Sequence, residues 1–274
     1  MRAYTTGTRL AAMLMATTLL AGCASSKGSK DEEQEAPDLQ ERQLYEEGRA
    51  ALESRNFTTA LNRLEAIDTR FPFGETAQQA QLELIYVYYE NGDWEGARAA
   101  ASRFIRLHPD HPQVDYAYYL RGLAAWQAGR FSLERLRVID IAKRDLGATR
   151  DAYGDFRELI QRFPNSQYAP DARQRIIYLR NLLAQHELEV ADFYLRKGAY
   201  LAAIKRGQWV IENYPQAEGT RDALAVMVEG YMGLGMDERA RETLAVLVEN
   251  APRHPRLEGR TFNPRYVKNG KLSI

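Results

Sequence analysis

Residues 91–109 read NGDWEGARAAASRFIRLHP, and this stretch contains the structural unit that the rest of the chain repeats. Asn91-Gly92 is a turn signal, and Asp93 is a preferred residue for capping the N-terminus of a helix. Apolar or small residues then stand 12, 8 and 5 positions before Pro109, which places them on one helical face. These residues are Ala97, Ala101 and Phe104. Because proline cannot continue a helix, the stretch predicts a turn followed by an amphipathic helix that ends at Pro109.

The same pattern occurs five times along the chain. The closing prolines are Pro72, Pro109, Pro164, Pro215 and Pro252, and their spacings are 37, 55, 51 and 37 residues. Twelve residues before each of them stands an alanine: Ala60, Ala97, Ala152, Ala203 and Ala240. A further helical segment precedes each of these helices, at 44–52, 82–89, 116–126, 188–195 and 224–234. This self-similarity predicts repeated helix hairpins, which bury their apolar faces by stacking.

Paired helices with a small residue at the crossing point, an aromatic residue before the second helix and a closing proline resemble the tetratricopeptide repeat. The resemblance implies an all-α, right-handed solenoid of about five hairpins over 39–252. The hairpins are predicted at 39–72, 76–109, 115–164, 168–215 and 219–252. The third and fourth repeats carry extra residues at 132–147 and 168–183, which are helix-like and lengthen helices or add one. One irregular all-α bundle is the alternative.

The segment 1–22 reads as a secretion signal. A basic start precedes an apolar run at 10–20 of 11 residues, whereas a membrane-spanning helix needs about 20. The run ends in Leu20-Ala21-Gly22-Cys23, which resembles the lipobox of bacterial lipoproteins. This resemblance implies that Cys23 carries the lipid anchor. Because no aspartate follows the cysteine, it also implies the periplasmic face of the outer membrane. An ordinary signal with a chance cysteine is the alternative.

Two segments flank the predicted repeats. Residues 23–38 contain the lipidated cysteine and a polar, acidic stretch without apolar periodicity, which predicts a disordered tether that spans at most about 50 Å. Residues 253–274 form a basic tail, in which six Arg or Lys side chains face only Glu258. We expect this tail to be frayed and solvated. Contact with anionic lipid headgroups or with an acidic partner is the alternative.

Composition excludes several function classes. Lys and Arg total 37, as do Asp and Glu, so the bulk charge does not favour nucleic-acid binding. A single cysteine rules out an intrachain disulfide or a cysteine-cluster zinc site. His108 and His111 flank a Pro-Asp pair, and a turn between helices explains them better than a weak metal site does. We find no catalytic motif. The sequence therefore predicts a protein that is not an enzyme, with no metal and no cofactor beyond the covalent lipid on Cys23.

The first helices of stacked hairpins line a concave surface. In repeats one to three its predicted residues are aromatic and basic: Arg42, Tyr45, Arg49, Tyr86, Tyr89, Tyr116, Tyr119 and Trp126. In repeats four and five the equivalent positions are acidic and poorer in aromatics: Leu188, Asp192, Leu195, Asp222, Ala225, Glu229 and Met232. Tyrosine and tryptophan bury a large area at low entropic cost, and arginine pairs with carboxylates. The N-terminal half is therefore predicted to bind an extended peptide with an aromatic end and a free carboxylate. The alternative is that many of these tyrosines belong to the inter-helix core.

Several local strings, taken together with the lipobox and the repeats, resemble one family. The strings are RFPFG at 70–74, LIYVYY at 84–89, RFIRLHP at 103–109 and RFPNSQY at 162–168. They are similar to the ComL-like outer-membrane assembly lipoproteins, the BamD family. The resemblance implies a non-catalytic subunit of the β-barrel assembly machinery, which holds the BamA barrel subunit together with accessory Bam lipoproteins. It also implies binding of unfolded outer-membrane precursors, whose last strand ends in an aromatic residue.

The family resemblance also assigns the contact with BamA to the C-terminal repeats. Lys205 and Arg206 lie there, on the second helix of repeat four. We expect Arg206 to pair with a carboxylate of the partner; a solvated charge on an exposed face is the alternative. A lipoprotein adaptor of another envelope assembly, such as type IV pili, is the second candidate for the function of the whole chain.

Overall fold

The computed structural model describes residues 37–129, 146–268 and 270–274. By its contacts the chain divides into two units, Met1–Gln43 and Leu44–Ile274. The predicted secretion signal at 1–22 and the predicted lipid site at Cys23 lie outside the described residues. Of the predicted tether, only the last two residues are described, and they already belong to the first helix.

Ten helices are present in the described residues, and they follow one another as five hairpins. Their bounds are α1 Pro37–Glu53, α2 Phe57–Arg70, α3 Glu75–Glu90, α4 Trp94–Leu107, α5 Val114–Gly129, α6 Gly147–Arg162, α7 Ala169–Arg196, α8 Tyr200–Asn213, α9 Thr220–Gly233 and α10 Asp237–Asn250. From α2 to α10, each helix packs against the next one along the chain. The prediction of an all-α repeat of helix hairpins is confirmed.

Helix α4 illustrates why these segments fold as they do. The carboxylate of Asp93 accepts a hydrogen bond from the backbone N–H of Gly96 at 2.9 Å, so the helix is capped at its start. Its buried face consists of Ala97, Ala101 and Phe104. At its end the N–H of His108 donates to the carbonyl of Phe104 at 2.8 Å, and Pro109 prevents a further turn.

The other second helices bury the same three positions. These are Ala60, Leu64 and Ile67 in α2, Ala152, Phe156 and Leu159 in α6, Ala203, Gly207 and Val210 in α8, and Ala240, Leu244 and Leu247 in α10. Glycine allows the closest approach between helices. A Cβ atom on Gly122 of α5 would lie 2.8 Å from the ring of Phe156. The periodic alanines and glycines thus set how closely the hairpins stack.

The two predicted insertions have different outcomes. Residues 168–183 lie almost entirely within α7, which runs without interruption for 28 residues, so this insertion lengthens a helix. Most of the insertion predicted at 132–147 lies outside the described residues, and α6 begins at Gly147.

The C-terminal segment departs from the expectation of a frayed tail, which is wrong. Residues 254–274, here named the C-terminal clasp, contain the strands β1 Leu257–Glu258, β2 Thr261–Phe262 and β3 Leu272–Ser273. These strands pair antiparallel in the order β1-β2-β3. The buried clasp residues Phe262, Val267 and Leu272 join a core cluster with α9 and α10. The clasp therefore covers the apolar face that the last hairpin would otherwise expose.

The helices of the described residues do not meet the requirements for a membrane-spanning helix. Across 37–129, 146–268 and 270–274, every helix is too short or too polar to span a bilayer.

Candidate functional site

Helices α3, α5 and the first half of α7 bring a group of aromatic side chains together. This aromatic face consists of Tyr86 and Tyr89 from α3, Tyr116, Tyr119 and Trp126 from α5, Tyr168 at the start of α7, and Tyr178 within α7. Helices α3 and α5 pack side by side. All these side chains are half-buried except Tyr178, which is exposed. Each ring of the group is therefore still open to solvent in part.

Tyr168 links the aromatic face of α5 to α7. Its ring stacks on that of Tyr119 with centroids 4.7 Å apart, and the ring of Tyr116 lies 5.5 Å away. The Tyr119 hydroxyl donates a hydrogen bond to Asp171 at 2.8 Å. Burial and this bond to a carboxylate together raise the pKa of Tyr119 to about 12. Burial likewise raises the pKa of Tyr116. Both phenols are neutral hydrogen-bond donors at physiological pH.

A guanidinium completes this surface. Arg175 of α7 lies over the ring of Trp126, with its Cζ atom 3.8 Å from the ring centroid, a cation–π arrangement. The same guanidinium forms an ion pair with Asp171 one turn earlier. Burial alone would raise the pKa of Asp171, but the hydrogen bonds from Arg175 and Tyr119 together with the charge of Arg175 outweigh it and lower the pKa below its ordinary value. Trp126 also lies 6.3 Å from Tyr178 between ring centroids. A positive charge is thus held within an aromatic surface.

Sequence reasoning missed Tyr168, Asp171, Arg175 and Tyr178. The reason is the length of α7: counting back from Pro215 selected its second half as the first helix of repeat four. Residues 168–183 were treated as an insertion, yet this half of α7 faces α5. The stacked tyrosines and the Arg175 pair show that the aromatic face continues onto it. The i, i+4 spacing of Asp171 and Arg175 on a predicted helix is the signal that could have found the ion pair.

Tyr45 and Arg49 of α1 meet α3 at Glu83. The Tyr45 hydroxyl donates to Glu83 Oε1 at 2.9 Å, and the Arg49 Nε atom lies 3.9 Å from the same oxygen. Burial, followed by the bond to Glu83, raises the pKa of Tyr45 to about 12. Arg42 is exposed on α1 and belongs to the unit Met1–Gln43. The structure therefore brings Tyr45 and Arg49 to α3.

Tyr86 and Tyr89 have one side in the core and one side open. Tyr86 packs against a buried cluster with Tyr116, and burial raises its pKa. The ring of Tyr89 lies 5.4 Å from that of Trp94 in an edge-on arrangement, and its hydroxyl accepts a hydrogen bond from Gln127 at 3.2 Å. Each of these tyrosines thus packs into the core between the helices on one side of its ring and is exposed to solvent on the other.

The prediction of an acidic concave surface in repeats four and five is wrong for the residues that the structure buries. Ala225, Glu229 and Met232 of α9 and Leu195 of α7 are buried. The clasp pairs with the carboxylates of Glu229 and Asp192. Glu229 is 0% exposed. It forms an ion pair with Arg256 and accepts backbone N–H bonds from Arg265 at 2.8 Å, Val267 at 3.0 Å and Tyr266. Three consecutive N–H groups around one carboxylate form an anion-binding nest.

The clasp also binds α7 through Asp192. The Tyr266 hydroxyl lies 2.9 and 3.1 Å from the two oxygens of Asp192, and Arg265 Nη1 lies 3.4 Å from one of them. A cavity of about 690 Å³ remains between α7, α9 and the clasp. Its lining includes Leu188, Phe193, Asp222, Val226, Arg256 and Arg265. The chain's own end thus packs against α7 and α9 and leaves a cavity beside it.

The predicted partner-binding residues lie on α8. Lys205 is exposed, whereas Arg206 donates a hydrogen bond to the buried carboxylate of Glu187 at 2.7 Å. This bond raises the pKa of Arg206. Arg206 Nη1 thus has a partner within the chain, while the side chain remains partly exposed. One turn to either side of Lys205, Leu201 and Trp209 are exposed, which makes a mixed apolar and basic stripe along α8.

The two histidines considered for a metal have roles in a turn. His108 Nε2 lies 2.9 Å from Gln81 Oε1, and His111 Nδ1 accepts the N–H of Gln113 at 3.1 Å. Burial lowers the pKa of His108. Because an amide oxygen only accepts hydrogen bonds, the Nε2–H of His108 is the donor to Gln81 Oε1. Within the described ranges, no three His, Cys, Asp or Glu side chains gather where a metal ion could bind.

Comparison with known proteins identifies the relatives of this chain. The YfiO family, described as an outer membrane lipoprotein, matches residues 37–247. The outer membrane protein assembly factor BamD of Vibrio cholerae is 41% identical over 237 residues, which cover 86% of this chain and 96% of that protein. BamD of Neisseria meningitidis serogroup A is 40% identical, covering 86% of this chain and 88% of that protein. BamD of Xylella fastidiosa strain 9a5c is 36% identical over 265 residues, covering 96% of this chain and 88% of that protein.

Proposed function

The chain belongs to the YfiO family of outer membrane lipoproteins, alongside the BamD outer membrane protein assembly factors, and on that premise we propose that it is a non-catalytic subunit of the β-barrel assembly machinery. It binds unfolded outer-membrane precursors on its aromatic face and holds the BamA barrel subunit through its C-terminal repeats. The proposal requires no cofactor. The names of the relatives favour this role over that of an adaptor for type IV pili.

The aromatic face carries the proposal for precursor binding. Its rings are packed on one edge and open on the other, so a ligand meets preorganised aromatic surface at low entropic cost. Arg175 over Trp126 places a guanidinium where the carboxylate at a peptide terminus would pair with it, in competition with Asp171. An extended segment with a terminal aromatic residue fits this combination of stacking surface and charge.

Photo-crosslinking with a synthetic peptide tests this proposal. The probe is an extended peptide that ends in phenylalanine with a free carboxylate, and the same peptide with an amidated end is the comparison. Tyr86→Ala, Tyr89→Ala and Trp126→Ala combined should lower the crosslinking yield by about tenfold or more, since each aromatic anchor contributes on the order of 1 kcal/mol. The amidated peptide should crosslink less than the free acid, because it cannot pair with Arg175.

Phe193→Ala is the matched control for the crosslinking. Phe193 is an exposed aromatic residue of α7 that lies outside the aromatic face. Its removal should leave the yield unchanged. The helical circular dichroism of every variant should match that of the parent protein. Equal crosslinking of the triple variant and the parent would remove the aromatic face as the precursor site.

The α8 stripe is the proposed site for the BamA subunit. Leu201 and Trp209 offer apolar area beside the charges of Lys205 and Arg206. Aromatic and arginine side chains are the residues that most often dominate interface energetics. Arg206 would then serve two carboxylates, Glu187 inside the chain and one on the partner.

Co-purification of the membrane complex tests this assignment. Arg206→Glu should weaken recovery of the barrel subunit, and Trp209→Ala should do so without disturbing any charge. Glu187→Gln is the control, because it removes the internal ion pair and keeps Arg206 available. If Glu187→Gln and Arg206→Glu lower recovery equally, Arg206 acts only through the fold. Unchanged recovery in Arg206→Glu and Trp209→Ala would remove α8 from the interface.

Cys23 is the proposed point of membrane attachment. Two or more acyl chains hold a protein stably on a bilayer, whereas one chain does so only marginally. Cys23→Ser should therefore move the protein from the outer-membrane fraction to the soluble periplasmic fraction. Ser25→Ala provides the control beside it. Retention of the Cys23→Ser protein in the membrane after a high-salt wash would contradict a lipid anchor at this residue.

A further inference from the structure

Phe73 is an apolar side chain left almost entirely in solvent. It is 88% exposed in the turn between α2 and α3. The next residue, Gly74, has a φ of 108°, a backbone conformation that side-chain-bearing residues rarely adopt. This turn directs the chain into α3 and leaves Phe73 unpacked. Leu107, the last residue of α4, is also exposed, at 51%.

Both side chains lie at the same edge of the second hairpin. Helix α3 begins two residues after Phe73, and α4 ends at Leu107; in an antiparallel hairpin the start of the first helix and the end of the second lie together. A polar network supports this edge from behind. His108 Nε2 donates to Gln81 Oε1 at 2.9 Å, and Gln81 Nε2 donates to Asp68 at 2.7 Å. The two exposed residues therefore lie on a part of the hairpin stack that is held together by hydrogen bonds between α2, α3 and the turn after α4.

The chain enters the unit Leu44–Ile274 at this same edge. Leu44 shares a buried cluster with Ile67, which lies in the last turn of α2 immediately before the Phe73 turn. Cys23 precedes Pro37, where α1 begins, by 14 residues, a length that spans at most about 50 Å. A lipid anchor at Cys23, which is part of the proposed function, would confine this edge within the reach of the tether from a bilayer.

We propose that this edge, with Phe73 and Leu107 at its tip, docks onto the bilayer surface and orients the anchored protein. The inference rests on the proposed lipid anchor, because two apolar side chains bury too little area to hold a soluble protein on a membrane. Once the anchor holds the chain near the bilayer, the effective lipid concentration around Phe73 and Leu107 is high. A weak insertion of these two apolar side chains is then sufficient to orient the protein.

The charges at this edge determine whether docking would depend on the charge of the lipid headgroups. Arg70 and Arg106 are exposed, and neither has a hydrogen-bond or ion-pair partner within the part of the chain that the structure describes. Glu75 and Asp110 lie on the same two turns, so the formal charges cancel. Docking is therefore driven by the apolar side chains. It should occur equally on zwitterionic and anionic bilayers and persist at high salt.

A fluorophore placed at the edge tests the docking in the lipidated, full-length protein. The chain has one cysteine, Cys23, whose sulfur the lipid would occupy, so a cysteine introduced by Leu107→Cys can be labelled alone with the polarity-sensitive dye NBD. The protein is reconstituted on vesicles of phosphatidylcholine, with or without phosphatidylglycerol, that contain a lipid-borne quencher. We expect a blue-shifted NBD emission and at least twofold quenching on both kinds of vesicle.

Leu234→Cys carries the matched control probe. Leu234 is 43% exposed and lies in the turn within the fifth hairpin, at the opposite edge of the helix pairs. Its NBD emission should be neither shifted nor quenched. Phe73→Ser, added to the Leu107→Cys protein, should reduce the quenching at least twofold while leaving crosslinking of the aromatic-terminated peptide unchanged.

Flotation with the vesicles separates failure of the anchor from failure of the docking. If the protein floats but the Leu107 and Leu234 probes are quenched equally or not at all, the docking edge is refuted and the anchor stands. If quenching requires phosphatidylglycerol, an electrostatic contact replaces the proposed apolar one. If the protein does not float, the lipid anchor and the docking that depends on it both fail.

Discussion

The N-terminal and C-terminal halves of the repeat stack use equivalent helix positions in opposite ways. Tyr86 on α3 and Tyr119 on α5 keep one ring edge open to solvent, whereas Glu229 on α9 has no exposed surface. Both sets come from the first helices of hairpins with the same buried pattern. The difference arises because the C-terminal clasp lies over α9 and α7 and buries Glu229, whereas the segments that pack on α3 and α5 leave Tyr86 and Tyr119 half-buried. Repeat position alone therefore does not decide whether a side chain is available for a ligand.

The two halves also differ in how they treat carboxylates. In the N-terminal half, Glu83 and Asp171 accept hydrogen bonds from tyrosine hydroxyls at a partly solvated surface. In the C-terminal half, Glu229 is withdrawn from water and is satisfied by a guanidinium and three backbone N–H groups. Water can replace a lost donor in the first setting. It cannot readily do so in the second, where a missing partner leaves a desolvated charge.

The sharpest test of this contrast is Glu229→Gln. The neutral amide leaves Arg256 buried without its counter-charge, so the free energy of unfolding should fall by about 3 kcal/mol. Urea denaturation followed by circular dichroism measures the loss. Glu258→Gln removes the exposed ion pair with Lys271 in the same clasp and should leave the denaturation midpoint unchanged. A Glu229→Gln protein as stable as the parent would show that the clasp contributes little to the stability of the last hairpin.

The fold could be predicted from the sequence because its determinants are local and periodic. Alanine 12 residues before each closing proline placed Ala97 and Ala240 on the buried faces of their helices, and the structure has them there. The clasp could not be predicted in this way. Its strands have two residues each, and the contact that secures it joins Glu229 to Val267, 38 residues away. Arg256 and Arg265 were counted as unpaired because their partners, Glu229 and Asp192, lie in α9 and α7.

The aromatic face shows a second limit of sequence reasoning. Tyr86, Tyr116, Tyr119 and Trp126 were placed on the concave side, and the structure brings the last three together with α7. Their partner Arg175 was missed because α7 has 28 residues, twice the 14 residues of α8, the helix with which it forms a hairpin. Aligning repeats by their closing prolines assumes equal helix lengths, and this assumption fails where a helix continues across an insertion.

Tyr119→Phe tests the solvated half with a smaller expected effect. The substitution deletes the hydrogen bond to Asp171 and keeps the ring stacked on Tyr168. Because water can satisfy the freed carboxylate, the free energy of unfolding should fall by only about 1 kcal/mol, measured by the same urea titration. Tyr119→Leu, which also removes the stacking, should be clearly less stable than Tyr119→Phe. A loss in Tyr119→Phe as large as that of Glu229→Gln would erase the distinction between the two halves.

The smallest expected effect is a change in stability at high pH, where the phenols of Tyr45 and Tyr119 lose their protons. The pKa values of Tyr45 and Tyr119 are raised to about 12, above the ordinary value of 10.0, because burial and a neighbouring carboxylate disfavour the phenolate. The neutral phenol is thus favoured more in the folded chain than in the unfolded one. The stability that this confers is complete below about pH 10 and is lost as the pH rises through about 12. A spectrophotometric titration of tyrosinate should show Tyr45 and Tyr119 among the phenols that ionise late, and the combined Tyr45→Phe and Tyr119→Phe variant should have two late phenols fewer than the parent. The variant should also lose less stability than the parent between these two pH values.

If the parent titrates all its tyrosines together near pH 10 while still folded, the hydroxyls of the aromatic face are free in solution, and the solvated half is looser than the structure describes.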